Sequence, residues 1–440
     1  MTNPQSDLLD KIRQQFDSSP YPRIPIDKSP KDSPNELYIH NLVTSFYLRD
    51  QRVIDTKGKV ILDAGCGSGY KSLILAEANP GAKIVGVDIS AESIKLAEQR
   101  LKYHGFDNAE FYVLSIEELS SLNYQFDYIN CDELLYLFPD PVCALTSMKS
   151  LLNPSGIIRS NLHSFANRAN IYRAQKMFAM MGLMDENPEE LEIEVVIETM
   201  QALKDHVLLK TQTWNPSYTS KDNKVDILMN YLFQGDKGYT ISDMFIALEL
   251  SGLEFISMVN WREWDIRDLF KEVDNLPIFW EMSLPDLSVE NRLKMYEFLN
   301  PIHRLLDFWC GHPQQIQTFI PSSTWNDFDW HKAKVYLHPQ LNTSKFREDL
   351  AVNITDCGIL SLDKYLSTHQ QIVTLDSSMA TCLFPLLDAP QTIMFLVERW
   401  KQFRPVDPVT LQPIDRQTAF NLVKNTVMSL ESLDYLMLEL

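Results

Sequence analysis

From Lys59 to Asn161 the chain alternates short apolar runs with amphipathic stretches, and this alternation limits the possible folds more than any other feature. The runs are KVILDAG, AKIVGVD, AEFYVLS, FDYINCD and SGIIRSN. Between them Lys71–Ala78, Ala91–His104, Glu117–Leu122 and Pro141–Leu152 carry helical patterning. In the second of these Ser90 can cap the N-terminus, Glu92 falls in the first turn, and Ile94, Ala97 and Leu101 share one face. Runs nearly continuous in Val, Ile and Leu indicate strands buried on both faces, as in a parallel sheet covered by helices. Strand–helix alternation at this spacing predicts an α/β, doubly wound, mostly parallel sheet.

The rest of the chain reads differently. Residues 1–55 form a proline-rich arm followed by a helix. Five prolines between residues 15 and 35 forbid a helix there, whereas Glu36–Arg52 has helical spacing. The expected sheet core covers 56–163 and a polar, helical insertion covers 164–236. A further helix–strand unit over 237–262 completes the sheet, with Thr240 and Asp243 as a capping box and Phe255–Val259 as the strand. Residues 263–440 are then a mainly helical auxiliary domain with one strand at Lys334–Leu337. All eight tryptophans lie beyond Asn161. Trp261 and Trp264 follow the last expected strand, Trp280 and Trp309 sit in apolar helical context, and all four read as core.

The net charge of −19 repels phosphate backbones, so no nucleic-acid partner is expected. The six cysteines are too scattered for a disulfide framework, and no zinc-type spacing or other metal-ligand cluster appears. Met1–Arg13 has neither signal- nor transit-peptide character, and no apolar run reaches the ~18–20 residues of a membrane helix. A cytoplasmic protein with no membrane partner is expected.

The chemistry lies in Val60-Ile-Leu-Asp63-Ala-Gly65-Cys66-Gly67-Ser68-Gly69-Tyr70. A buried strand ends in an acid, and a glycine-rich turn leads into a helix. Glycines let a ligand lie against bare backbone, and a helix start offers free N–H groups. The next strand ends at Asp88, where a carboxylate accepts from both hydroxyls of a ribose. A dinucleotide site requires G-x-G-x-x-G, whereas here the glycines run G-x-G-x-G with Tyr70 following. An acid beside the turn is also unhelpful to a pyrophosphate. A phosphate-free, cationic ligand such as S-adenosylmethionine suits it better, with Asp63 holding the amino group directly or through water. Cys66 reads as a small filler within the turn.

This stretch resembles the class I S-adenosylmethionine-dependent methyltransferases, which implies a Rossmann-like sheet and S-adenosyl-L-methionine as cofactor. The resemblance covers Lys59–Asn161, and Gly238–Val259 more loosely. Asp63, Gly65, Gly67 and Gly69 match the family's first motif, with Cys66 inside it. Asp88 matches its ribose acid, and the resemblance implies that Ile89 lies against adenine. Where the family often has an acid for the adenine amino group this chain has Ser115-Ile116, so a hydroxyl or the Ile116 backbone must serve. The segment Cys131–Pro141 is similar to the one flanking the methyl-transfer site. That implies Cys131 beside the cofactor, and Tyr136 and Leu137 where many members carry a histidine pair. The Tyr-Pro-Arg-Ile-Pro stretch and the long C-terminal half are similar to a bacterial subgroup whose core is followed by an auxiliary domain sometimes described as regulatory.

Methyl transfer needs a nucleophile held in line with the sulfonium methyl, and a neutral O or N nucleophile also needs its proton removed. Candidates for that base sit at the carboxyl ends of the fourth and fifth strands: Asp132, Glu133 and His163. Tyr21 and Arg23 on the arm are candidates for a lid. The expected acceptor is a small molecule or peptide-derived group, with a protein side chain as the alternative. A protein that binds S-adenosylmethionine without turnover is the non-enzymatic alternative.

Overall fold

The computed structural model describes residues 21–220, 224–315, 319–366 and 372–440. The described residues divide into two units: one holds those within Met1–Asp27, Val60–Ser72 and Ile84–Pro313, the other those within Lys28–Lys59, Leu73–Lys83 and Gln314–Leu440.

The first unit is built on a seven-stranded sheet. Its strands are β1 (Val60–Ala64), β2 (Lys83–Asp88), β3 (Glu110–Val113), β4 (Phe126–Cys131), β5 (Leu152–His163), β6 (Glu254–Met258) and β7 (Leu305–Gly311), ordered β3-β2-β1-β4-β5-β7-β6. β1 pairs parallel to β4, β4 to β5 and β2 to β3, as expected for this class. The order reverses between β1 and β4, and in such sheets that switch point opens a crevice at the carboxyl ends of the strands. Leu62, Val85, Ile129 and Ile158 are fully buried in its core. Ser90 accepts from the Ser93 N–H at the start of the helix Ala91–Tyr103, a cap worth about 1 kcal/mol. Among the described residues, 165–231 carry four α-helices around a small core of their own that includes Phe178, Val196 and Tyr231.

The sheet does not end at residue 262. β7 enters between β5 and β6, antiparallel to both. Trp309 therefore lies in a strand rather than a helix, donating from its indole N–H to the Tyr128 hydroxyl at 2.9 Å. The physical cause sits on β5. Arg159 is buried, and Asp307 on β7 gives it a bidentate carboxylate at 3.1 and 2.7 Å. A buried guanidinium without such a partner is strongly destabilising.

The second unit has a three-stranded antiparallel sheet, β11 (Gln391–Thr392), β8 (Lys334–Leu337) and β12 (Leu436–Glu439), and a two-stranded one, β9 (Ile359–Ser361) with β10 (Thr374–Asp376). Helices surround them, with Trp330, Leu396, Phe420 and Val423 in the core. The segment expected as one helix over 36–52 is two, Pro34–Ile39 and Leu42–Asp50. It belongs to this unit, its Tyr47 hydroxyl donating to Glu431 at 2.9 Å. The expected 1–55 segment is thus divided at Asp27. Among the described residues no helix is long and apolar enough to cross a membrane, and no group of three His, Cys, Asp or Glu is placed to hold a metal.

Candidate active site

The glycine turn joins β1 to the helix Tyr70–Ala78, and its backbone is tied to β2. The Gly65 and Cys66 N–H groups both donate to the Val87 carbonyl, at 2.8 and 2.9 Å. Gly67 N–H donates to one oxygen of Asp88 at 2.9 Å, and Ser90 N–H to the other at 2.9 Å. Asp88 is thereby fixed at the mouth of a cleft of ≈ 330 Å³. Gly65, Ile89, Ser115 and Ile116 line that cleft with it, together with Leu134, Leu137 and Phe138, which sequence reasoning did not name as ligand contacts. Glu117 and Glu118 complete the rim, so the lining includes three carboxylates and no lysine or arginine.

The other glycines serve the protein itself. Gly67, at φ +50°, lies directly under the Tyr21 carbonyl, leaving no room for a Cβ. Ser68 holds the same arm, its N–H donating to the Tyr21 carbonyl at 2.9 Å and its hydroxyl to Pro22 at 2.8 Å. Gly69 faces Ala97 of the neighbouring helix, again at a distance no side chain would fit. Of the three glycines only Gly65 meets the cleft. Buried Arg100 clamps the arm further, donating to the Ile24 and Pro25 carbonyls at 2.7 Å each.

Asp63, expected to hold a cationic ligand group directly or through water, is not among the residues that line the cleft. It is buried beneath the turn, accepting from the Ser72 hydroxyl at 2.6 Å and the Asn130 amide at 2.9 Å. Burial pushes its carboxyl up to about 6. Cys66 packs against Ile94, Ala97 and Phe111, and burial followed by the nearby Asp88 charge raises its thiol well above the usual range. Cys131 is buried at the end of β4, its thiol pushed up to about 12 by burial, and it lines no part of the cleft. Arg23 is exposed on the arm.

A second cluster begins where the cleft ends, at the residue before Leu134. Glu133 has a left-handed backbone (φ +54°), and its N–H donates to the Asn161 side chain at 2.8 Å. Its carboxylate accepts from Arg304 at 2.5 Å. Arg304 also lies 3.2 Å from His163 Nε2. A guanidinium only donates, so Nε2 carries the lone pair and His163 Nδ1–H donates to Asp236 at 2.6 Å. Asp236 further accepts from Arg168 at 2.8 Å and Gln175 at 2.9 Å. Burial alone would raise the Asp236 carboxyl, but these bonds and charges outweigh it and hold it below the usual range. Burial, aided by the Arg168 and Arg304 charges, lowers His163 and keeps it neutral near pH 7. Tyr136 stacks on the imidazole with ring centroids 3.6 Å apart. Tyr21 stands in the field of Glu133, Arg304 and Lys71, its hydroxyl raised mainly by burial. Asp132 is held elsewhere, paired with Lys71 at 3.2 Å and Arg159 at 3.5 Å and accepting from Asn161 at 2.6 Å. Two cations on one nearly buried carboxylate make it an anchor of the strand ends, not a base.

Residues 55–231 match the family model described as a methyltransferase domain. The chain carries an S-adenosylmethionine-dependent methyltransferase domain. Similar curated proteins include the ubiquinone biosynthesis O-methyltransferase of Haemophilus ducreyi, 35% identical over 107 residues, which are 23% of this chain and 44% of that one. The chain spans about half the length of the relatives of this kind that it matches, so the likeness is to the methyltransferase domain alone. An uncharacterized protein of Synechococcus sp. matches more widely, at 27% identity over 71% of this chain and 73% of its own. Among solved structures, PKMT2 from Rickettsia typhi has the same fold, with 17% identity and a TM-score of 0.58 over 91% of this chain and 76% of that one. Its complex with AdoHcy aligns at 16% identity and a TM-score of 0.55, over 95% of this chain and 77% of that one. The glycine motif and the strand-end Asp88 are legible locally, whereas Asp236 and Arg304 lie outside any motif. The Gly235-Asp236-Lys237-Gly238 turn is the one local hint of the first of these.

Proposed function

We propose that the protein transfers a methyl group from S-adenosylmethionine to an O or N nucleophile of a small-molecule or peptide-derived acceptor. The cleft carries this reading. An adenosyl sulfonium bears no phosphate, and a lining of three carboxylates without a cation suits it while opposing a pyrophosphate. Asp88 would hold the ribose hydroxyls, Ile89 and Ile116 the adenine faces, and Gly65 would allow close backbone approach. When bound, the cofactor would supply an activated methyl to an acceptor lone pair, the electron pair of its carbon–sulfur bond staying on sulfur. The acceptor's proton goes to His163 Nε2, whose tautomer Asp236 fixes. Glu133 and Tyr21 border the acceptor, and the arm closes the site by its clamp on the glycine turn. The O-methyltransferase names of the curated relatives favour an oxygen nucleophile. Six cysteines without a disulfide among them fit a cytoplasmic location.

Incubation with methyl-labelled S-adenosylmethionine and fractionated lysate tests this. Label in small molecules or peptides is expected. Label only in intact proteins points to the side-chain alternative, and cofactor binding without any product overturns the enzyme assignment.

A further inference from the structure

Arg304 occupies the one position from which His163 would act. Its guanidinium donates to Glu133 and covers His163 Nε2 at 3.2 Å. The other arginines around this edge are closed in: the Arg159 and Arg168 side chains are each 4% exposed. Arg304 is 46% exposed and its partner Glu133 31%, so this pair alone among the three is reachable from solvent. An exposed ion pair contributes only about 0–1 kcal/mol, and an incoming carboxylate replaces Glu133 with an equivalent bond. A planar fork suits a carboxylate or phosphate in a way a point charge does not. On a chain of net charge −19, an acidic ligand has few places to be held, and this arginine is one of them.

We propose that Arg304 is the receptor for an acidic group on the methyl acceptor, and that taking up this group draws the guanidinium off His163 Nε2 and opens the base. This rests on the reading of His163 as the proton acceptor. It makes the substrate class an acid whose hydroxyl or N–H lies near a carboxylate or phosphate. Glu133 then acts as a stand-in that occupies Arg304 until the acceptor arrives. The groups facing the imidazole are Asp236, Arg168, Arg304 and the stacked Tyr136, with Glu133 behind Arg304.

Two measurements on the full chain test it. In the first, histidines are 15N-labelled and the His163 signal is assigned by its loss in His163→Gln; benzoate and uncharged benzamide are the probes. Benzoate should shift the Nε2 resonance saturably, benzamide should not, Arg304→Gln should abolish the response, and Glu133→Gln should tighten it severalfold. In the second, products of labelled methyl transfer from lysate metabolites are separated by anion exchange. Label should enter the retained, acidic fraction and fall at least tenfold in Arg304→Gln, with cofactor affinity by calorimetry within threefold of the parent. Label in neutral or cationic products, indifferent to Arg304→Gln, overturns the acidic class and leaves methyl transfer standing. Cofactor binding with no label in any fraction overturns methyl transfer itself. Arg304 as an anion receptor then stands if benzoate moves the Nε2 signal and falls if it does not.

Discussion

The proposed cofactor end and the proposed acceptor end of the site are built by opposite means. The cofactor end is local: one strand, one turn and the next strand end supply Gly65, Asp88 and Ile89, and backbone N–H groups from Gly67 and Ser90 orient the carboxylate. The acceptor end is assembled from side chains far apart in sequence, Tyr21, Glu133, His163, Asp236 and Arg304, with a buried His163–Asp236 pair beneath a solvent-reachable Arg304–Glu133 pair. Altering the first should cost function far more than stability, whereas altering the buried His163–Asp236–Arg168 part of the second should cost both.

The sharpest way to break that contrast is Asp236→Ala. It leaves Arg168 buried without its carboxylate and frees the His163 ring, so a stability loss of roughly 3–5 kcal/mol is expected. Urea unfolding followed by circular dichroism measures it, and a loss below about 1 kcal/mol would show the network to be incidental. Asp63 gives the next largest effect. Its carboxyl sits at about 6 in the folded chain against an ordinary value near 3.9 when unfolded. Between those values the folded state keeps a proton that the unfolded state has released, so this group's contribution falls as pH rises from about 4 to 6. The shift corresponds to about 2–3 kcal/mol at most. Asp63→Asn should therefore gain stability over the parent across that window, and parallel pH curves for the two would refute the raised carboxyl.

The same division decides what the residues disclose in advance. The parallel core, its helix positions and the Asp63–Asp88 motif are legible because each strand, turn and helix carries its own pattern of apolar, glycine and capping residues, even though β1 pairs with β4 some 67 positions away. β7 is not. Leu305-Leu-Asp-Phe-Trp-Cys-Gly311 is a short apolar run that periodicity alone does not distinguish from a buried helix, and what decides it is the demand of Arg159 for Asp307, 148 positions away. Asp132 is one of three candidate bases in the sequence because it follows β4. Its two cations come from Lys71 and Arg159, which no spacing rule connects. The glycine turn is legible as a turn, but the occupant of Gly67 is the chain's own Tyr21 carbonyl.

Asp88→Ala sharpens the comparison from the cofactor side. Removing a carboxylate that takes charged hydrogen bonds should weaken S-adenosylmethionine binding by roughly 1–3 kcal/mol, about five- to 150-fold in Kd, with a stability loss smaller than that of Asp236→Ala. Calorimetry beside thermal unfolding separates the two, and an unfolding loss as large as that of Asp236→Ala would erase the distinction between the ends.

The smallest effect should come from Ser115→Ala, which decides how adenine is read in a chain lacking the usual acid. The Ser115 hydroxyl donates to Glu118 at 3.1 Å inside a capping box that starts the short turn Ile116–Ser121. A hydroxyl already committed to a carboxylate is a poor choice for a ligand contact, whereas the Ile116 backbone is held at the cleft by that same box. Losing the hydroxyl should therefore change cofactor affinity by no more than about threefold, below 0.7 kcal/mol. A tenfold loss would move adenine recognition to the Ser115 side chain, and would mean that part of the cofactor end is also built from side chains rather than backbone.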